Sequence, residues 1–327
     1  MACDHVARIL GGGVIGACLA AITVSGLAQQ PYPNRPLRLI VPLAPGGTTD
    51  IMARTMSQGL TGPLGQPVVV ENRSGAGGTV GSDFVAKSPP DGYTLLIISA
   101  DTYTTNAVLY TNLPFDSRKD LRPISILAAS PSLLTVHPSL PVKSVKELVA
   151  LSRARPKDLN YGSGGTSGVL RMELLKFNTG MIIQNIPYKG SGPALIDQIA
   201  GHVHVGFFNL VATLPQVQAG KLRALVVTGG KRSDQLPNVP STVESGIKGF
   251  DENVGYLMLL PSATPGNIVT RLNTDIVQVL NTPEVKGRLA NEGSEVVGST
   301  PEQAQAVVHS QIDQWVDVVK KTGIKLQ

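Results

Sequence analysis

The sequence predicts an α/β fold of two lobes, each built on a doubly wound sheet, with the chain crossing twice between them at a hinge. Three observations predict it. Short apolar runs alternate with amphipathic stretches, the pattern of buried strands and their covering helices. The order strand, Gly-rich turn, helix occurs early in the chain and again from Leu159 onward. And 327 residues are enough for two cores of ordinary size.

The first strand is expected over residues 37–42, and its apolar run closes in Pro45-Gly46-Gly47. Glycines there can take positive φ and bring bare backbone close to a ligand. Thr48, Thr49 and Asp50 read as capping side chains for a helix carried by Ile51, Met52, Met56 and Leu60. Such a joint aims orphan N–H groups and the positive end of a helix dipole at one point, which favours an anion. A second strand at Val68-Val69-Val70 leads into Gly75-Ala76-Gly77-Gly78, then a helix over 80–86 and a strand over 93–98. These loops fall at the carboxyl ends of strands, where doubly wound sheets bind ligands.

Residues 124–129 and 133–136 read as extended chain leaving the first lobe. Ser144-Val145-Lys146-Glu147 matches a capping box and opens a helix. A strand over 159–161 runs into Gly162-Ser163-Gly164-Gly165-Thr166-Ser167-Gly168, with a helix from about Val169. Strands over 182–187, 203–207 and 222–227 alternate with a helix near Pro193 and a short one before Gly220. The chain returns through 256–260 to helices over 268–280 and 283–290. The last helix has Thr300 as cap, Pro301 at N1 and Gln303 at N3, an apolar face of Ala304, Val308, Ile312, Trp315 and Val319, and Gly323 as its stop. The expected organisation is a leader over 1–28, a first lobe of 29–127 plus 255–327, and a second lobe of 128–254.

The leader reads as a cleaved export signal: Arg8, then a nearly uncharged run to Gly26, then Leu27-Ala28, with cleavage after Ala28. A lipoprotein signal ranks second, because Ile15-Gly16-Ala17-Cys18 resembles a lipobox but mostly apolar residues continue beyond Cys18. A membrane anchor ranks third, since Gly11, Gly12, Gly13 and Gly16 weaken the helix and the run is short for a span. Both cysteines, Cys3 and Cys18, fall in this segment. The mature chain is therefore expected to have no disulfide, thiol chemistry or cysteine metal site.

A net charge of +5 and a pI near 9.2 raise the question of a nucleic-acid partner, but the basic residues are dispersed. The densest group, Arg153, Arg155 and Lys157, has no interleaved aromatics and reads as a solvated face. No nucleic acid is expected. The diffuse positive field suits small anions.

Gly75-Ala76-Gly77-Gly78 falls short of a dinucleotide fingerprint because Val80 stands where the last glycine belongs. It reads either as a tight strand-to-helix turn or as a second nest of N–H donors for an anion. Residues 162–168 form a third such loop, with hydroxyls from Ser163, Thr166 and Ser167. Three loops of one chemistry in two lobes favour a shared cleft site. His202 and His204 fall on one face of the expected strand, but no third ligand is near and a solvent-facing edge is the stronger reading. Lys189 could meet a carboxylate, although a solvated turn lysine is slightly favoured. Asp50 is read as a cap or an orienting residue, because direct contact would repel an anion. No Walker A, G-x-S-x-G or H-E-x-x-H pattern occurs, so no enzyme, cofactor or metal is expected.

At this point the chain resembles the Bug-type (TctC-like) periplasmic solute receptors of tripartite tricarboxylate transporters. The resemblance covers essentially the whole mature chain. It is carried by Tyr32-Pro33 with Arg35-Pro36, by Val41-Pro42-Leu43-Ala44-Pro45-Gly46-Gly47 with Asp50 and Ala53-Arg54, and by Val69-Val70-Glu71-Asn72-Arg73 with Gly75-Ala76-Gly77-Gly78. Asp91-Gly92-Tyr93-Thr94-Leu95, Pro187-Tyr188-Lys189-Gly190, Ala219-Gly220-Lys221-Leu222-Arg223-Ala224-Leu225 and Thr300-Pro301-Glu302 continue it.

The resemblance implies a type II-like periplasmic binding-protein fold, monomeric and periplasmic, that closes on a small organic carboxylate and delivers it to membrane permease subunits. In similar receptors the first two glycine loops hold waters that contact one carboxylate, and the second-lobe loop supplies hydroxyl and amide donors. Mapped by motif, these are Ala44, Gly47 and Thr48; Ala76, Gly77 and Gly78; and Ser163, Gly164, Thr166 and Ser167. The loop from Ser99 to Thr105, including Thr102, and Phe207-Phe208-Asn209 are expected to line the rest. Two departures stand out. Family members often carry Phe-Asp-Asn where this chain has Phe207-Phe208-Asn209, and a histidine where it has Arg171. Phe208 in place of an acid argues against an ammonium-bearing ligand and leans toward an aromatic or simple carboxylic acid. A sensor presenting its ligand to a membrane kinase, and an enzyme on a similar two-lobed fold, stand as alternatives.

Overall fold

The computed structural model describes residues 32–156, 158–250 and 254–323. The expected leader with Cys3, Cys18 and the cleavage site after Ala28, and Lys157 of the basic group, lie outside them. Among the described residues no helix is long and apolar enough to cross a membrane.

Two sheets carry the fold. The first has the order β11-β4-β10-β3-β1-β2, with β1 (Leu37–Val41) parallel to both β2 (Val68–Asn72) and β3 (Thr94–Ser99). The second has the order β7-β6-β8-β5-β9, with β6 (Asn160–Ser163) parallel to β7 (Gln184–Pro187) and β8 (Val205–Asn209). Both sheets are mixed, and the crossings explain why. β4 (Leu121–Ser130) passes through Pro131 directly into β5 (Ser132–Val136), and after β9 (Arg223–Val227) the chain returns as β10 (Val254–Pro261). A strand that starts at the cleft must run against strands that end there. β10 is accordingly antiparallel to β3 and β4, and β5 to β8 and β9.

Each sheet is covered on both faces, which is why its strands read as continuous apolar runs. Leu39 and Val41 face the core under α1 (Thr48–Leu64), α8 (Gly266–Leu280) and α9 (Pro283–Asn291), while Ile40 faces the core that includes α10 (Pro301–Thr322). The period-two alternation repeats in the second sheet, where Leu134 packs with Tyr161, Val205 and Phe207 and the adjacent Leu133 packs with Leu210 and Val227. α10 fits its sequence reading well. Thr300 and Gln303 form a reciprocal capping box, Ala304, Val308 and Ile312 are buried, and Gly323 ends the helix at φ 67°. Trp315 and Val319 are half-buried only.

Several boundaries differ from the sequence reading. Residues 99–105 form no loop: Ser99 caps α3 (Ala100–Leu109), and its hydroxyl accepts from the Thr102 N–H at 3.2 Å. The Thr-rich sequence hid this helix, because it shows little apolar periodicity. α5 (Thr166–Thr179) begins inside the expected Gly-Ser loop. β8 starts at Val205, so His202 and His204 precede it; the His204 ring bonds Asn160 at 2.8 Å. Among the described residues no group of three or more His, Cys, Asp or Glu is placed to hold a metal. β11 (Glu295–Val296) was too short to read. Ser144 caps α4 (Val145–Ala154) as expected, but the Glu147 carboxylate accepts from the Lys143 N–H, which makes only half of a capping box. Arg153 donates to the carbonyls of Thr179 and Gly180 at the end of α5, a structural use of one member of the basic group.

Candidate functional site

The first glycine turn is held from behind by a carboxylate. The cap of α1 is Gly47, which makes no side-chain cap bond, so Thr48, Thr49 and Asp50 lie inside the helix and none of them caps it. Asp50 instead accepts from the Gly46 N–H at 3.2 Å, from Asn72 Nδ2 at 3.0 Å and from Arg54 at 3.0 and 3.1 Å. Burial alone would raise its carboxyl, but the bonds from Arg54, Gly46 and Asn72 outweigh it and hold Asp50 below the usual carboxylate range. Of the two roles read from sequence, Asp50 has the orienting one. Gly46, at φ 83°, completes the turn.

The second-lobe segment Gly190-Ser191-Gly192 closes over this turn. Lys189 has an exposed side chain, and its carbonyl accepts from the Ala44 N–H at 3.2 Å. A β-carbon at Gly192 would stand 2.3 Å from the Pro45 carbonyl oxygen, so the fit needs glycine. Farther along the cleft, Thr102 and Ser167 share a hydroxyl bond of 2.9 Å, and Thr105 donates to Thr166 at 3.1 Å. Arg171 on α5 is ion-paired with Asp101 on α3. The two lobes are thus in contact along the cleft.

Between them lies a cavity of about 50 Å³, lined by Thr48 and Thr49, Ser99 and Thr102, Gly164, Ser167 and Arg171, Ser191, Phe208 and Asn209, and Tyr256, among others. That exceeds the roughly 10–15 Å³ a single water needs but is far below the several hundred cubic ångströms of a small-molecule site. Admitting an organic acid requires the lobes to part or side chains to move. The amino ends of five helices converge here: α1 at Thr48, α3 at Ser99, α5 at Ser167, α6 (Ser191–Ile199) at Ser191, and α7 (Leu210–Gln218) through its cap Asn209. Each brings orphan N–H groups and a positive dipole end. Arg171 adds the only formal charge among the described lining residues. Thr48 Oγ1 is buried without a hydrogen-bond partner. The Tyr256 hydroxyl approaches it without meeting hydrogen-bond geometry, and burial pushes that phenol up, so it remains a neutral donor. Helix amino ends and a guanidinium around one cavity favour an anion there.

The structure divides the residues that the sequence grouped as one site. Thr48, Ser99, Thr102, Gly164, Ser167 and Phe208 line the cavity. Gly77, Ser163 and Thr166 line a separate pocket of about 190 Å³ with Tyr110, Glu173 and Tyr188, on the other side of the first turn of α5. Ala44 and Gly47 pack on Gly190 and Ser191, and Gly78 packs on Pro42 and Ile98. Ala76 sits among the left-handed residues of its turn at φ 42°, beside Gly77 at φ 63° and Gly78 at φ 98°. Thr49, Ser191, Tyr256 and Arg171 also line the cavity, and the sequence carries no signal that places the first three there. Phe208 lines the cavity and also packs with Ala194, Leu195 and Ala212.

Two mixed α/β sheets joined by two crossings, with an anion-receptive cleft at their facing ends, define the periplasmic binding-protein class. The TctC family, the tripartite tricarboxylate transporter family receptors, matches residues 52–324. Protein BugT of Bordetella pertussis is 37% identical over 99% of this chain and 100% of its own length. An R. palustris protein solved with adipate superposes with a TM-score of 0.86 at 38% identity, covering 90% of this chain and 99% of that one. MatC from Rhodopseudomonas palustris, solved with bound malate, gives 0.85 at 30% identity over 88% and 100%. The chain belongs to the TctC family of solute receptors.

Proposed function

We propose that this chain is an exported periplasmic receptor that captures a small organic carboxylate in the interlobe cavity and hands it to the membrane permease subunits of a tripartite transporter. The observation that carries the reading is the convergence of helix amino ends from both lobes on one cavity, beside a buried arginine. A carboxylate there gains hydrogen bonds from both lobes only when they meet, so binding favours the closed form. The acids held by the adipate- and malate-bound relatives support the ligand class.

The lobes are proposed as residues 29–127 plus 255–327 and 128–254, following a leader cleaved after Ala28, with a monomer as the working unit. Binding without catalysis is part of the proposal, in keeping with the receptor family that the chain belongs to. The test is a thermal-shift screen of mono- and dicarboxylates followed by small-angle scattering with the best binder. A bound acid raises the melting temperature and lowers the radius of gyration. No response to any acid in the screen defeats the proposal.

A further inference from the structure

Arg171 and Asp101 meet from opposite lobes at the edge of the cavity, with 11% and 14% of their side chains exposed. Arg171 Nη2 donates to Asp101 Oδ2, and Nη1 donates to Ser132 Oγ at 2.9 Å. The guanidinium is thus already engaged with a carboxylate, and it lines the same cavity as the converging helix ends.

We propose that Arg171 determines specificity for a second carboxylate on the ligand, and that Asp101 is an internal carboxylate which this group displaces. The proposal rests on the carboxylate reading of the cavity and narrows it to linear dicarboxylates. A planar guanidinium receives carboxylates through paired N–H donors, so one carboxylate can replace another without rebuilding the site. Removing one partner of a buried pair leaves an uncompensated charge. A monocarboxylate therefore gains nothing by parting Arg171 from Asp101, whereas a dicarboxylate replaces the partner it removes. Asp101 can be released because it lies in the first turn of α3, where the helix amino end stabilises an anion without help from Arg171. Ser132 Oγ holds the guanidinium from the β5 side during the exchange. This shifts the ligand expected from the sequence, an aromatic or simple acid inferred from Phe208, toward a diacid selected by Arg171.

The test is titration calorimetry of the purified protein with succinate and adipate against the chain-matched butyrate and hexanoate. The wild type is expected to bind the better dicarboxylate at least about tenfold more tightly than its matched monocarboxylate. R171Q should reduce that preference to within about threefold. D101N removes the competitor and should tighten dicarboxylate binding by about three- to tenfold, a gain that a purely structural ion pair would not produce. If R171Q does not fold, as judged by its melting curve, the sign of the D101N effect decides. A preserved preference in R171Q, no preference in the wild type, or weaker dicarboxylate binding in D101N overturns the inference while leaving the carboxylate reading standing. Failure of the wild type to bind any of the four acids overturns both.

Discussion

Thr166 Oγ1 donates a 2.5 Å bond to Asn106 Oδ1, from α5 of one lobe to α3 of the other. The same hydroxyl accepts from Thr105 at 3.1 Å, and Asn106 Nδ2 donates to the Gly77 carbonyl at 3.1 Å. One threonine therefore ties the second-lobe loop to α3 and, through Asn106, to the second glycine turn. It stands between the cavity and the outer pocket.

Thr166→Val keeps the shape of that side chain and removes both bonds. With the lobes closed, Asn106 Oδ1 is left buried without its donor, a cost of about 1–3 kcal/mol; with them apart, water replaces it. Ligand affinity should fall roughly 5- to 150-fold, with little change in the denaturant midpoint measured without ligand. Unchanged affinity by calorimetry would show that the contact does not matter for closure.

Gly192→Ala separates folding from closing. Gly192 lies in the first turn of α6, where alanine is intrinsically better than glycine by up to about 1 kcal/mol. Its β-carbon, 2.3 Å from the Pro45 carbonyl oxygen, prevents the second lobe from seating on the first glycine turn. The expected outcome is a melting temperature at or above that of the wild type, together with a lost ligand-induced thermal shift. A normal ligand shift would mean that the two turns do not meet when the receptor binds.

Where periodicity and turn chemistry are strong, the fold was legible. The strands around Leu39, Leu95 and Tyr256 and the Thr300-to-Gly323 helix all follow from apolar runs and caps. α3 was not, because Thr102, Thr104 and Thr105 are buried hydroxyls that bond back to the helix or across the cleft, and give no apolar stripe. Of the three glycine turns read as one site, the first and the second-lobe loop border the cavity, whereas Gly77 of the second lines the outer pocket and Gly78 packs on Pro42 and Ile98, so the two compartments were not legible. Which side of α5 a residue faces depends on where that helix starts, and the Gly-Ser run put the expected start at about Val169 where the helix begins at Thr166. Asp101 and Arg171 stand far apart in the chain, and only the packing of α3 against α5 brings them together.

Gly77→Val should weaken binding for a reason that the sequence did not supply. Read from sequence, a side chain there would narrow the approach to the loop amides. In the fold, the added β-carbon would stand 2.9 Å from the Tyr110 hydroxyl and 3.2 Å from Thr166 Cγ2, so it presses on the contact that joins the lobes. The backbone at φ 63° adds about 1–2 kcal/mol of strain for any L side chain, and more for a β-branched one. Both the denaturant midpoint and the ligand affinity should therefore fall, unlike the Gly192→Ala pattern. A variant with wild-type values for both would remove Gly77 from the closing surface.

Asp50 makes the first turn sensitive to acid. Its folded-state carboxyl is held below the ordinary value near 3.8, so its contribution to stability is complete above that pH. The contribution is lost as the pH falls through the depressed value, when a protonated Asp50 can no longer accept charge-assisted bonds from Arg54, Asn72 and the Gly46 N–H. Asp50→Asn should destabilise the protein by about 1.5–3 kcal/mol at neutral pH, the typical worth of a hydrogen bond to a charged group. The gap between wild type and variant should narrow progressively below pH 3.8, because the wild type then loses what the variant never had. Urea denaturation of both proteins at pH 7 and again in the acid limb gives the comparison. A gap that stays constant as the pH falls would mean that the side chain acts through its shape alone and that its charge does not position Gly46.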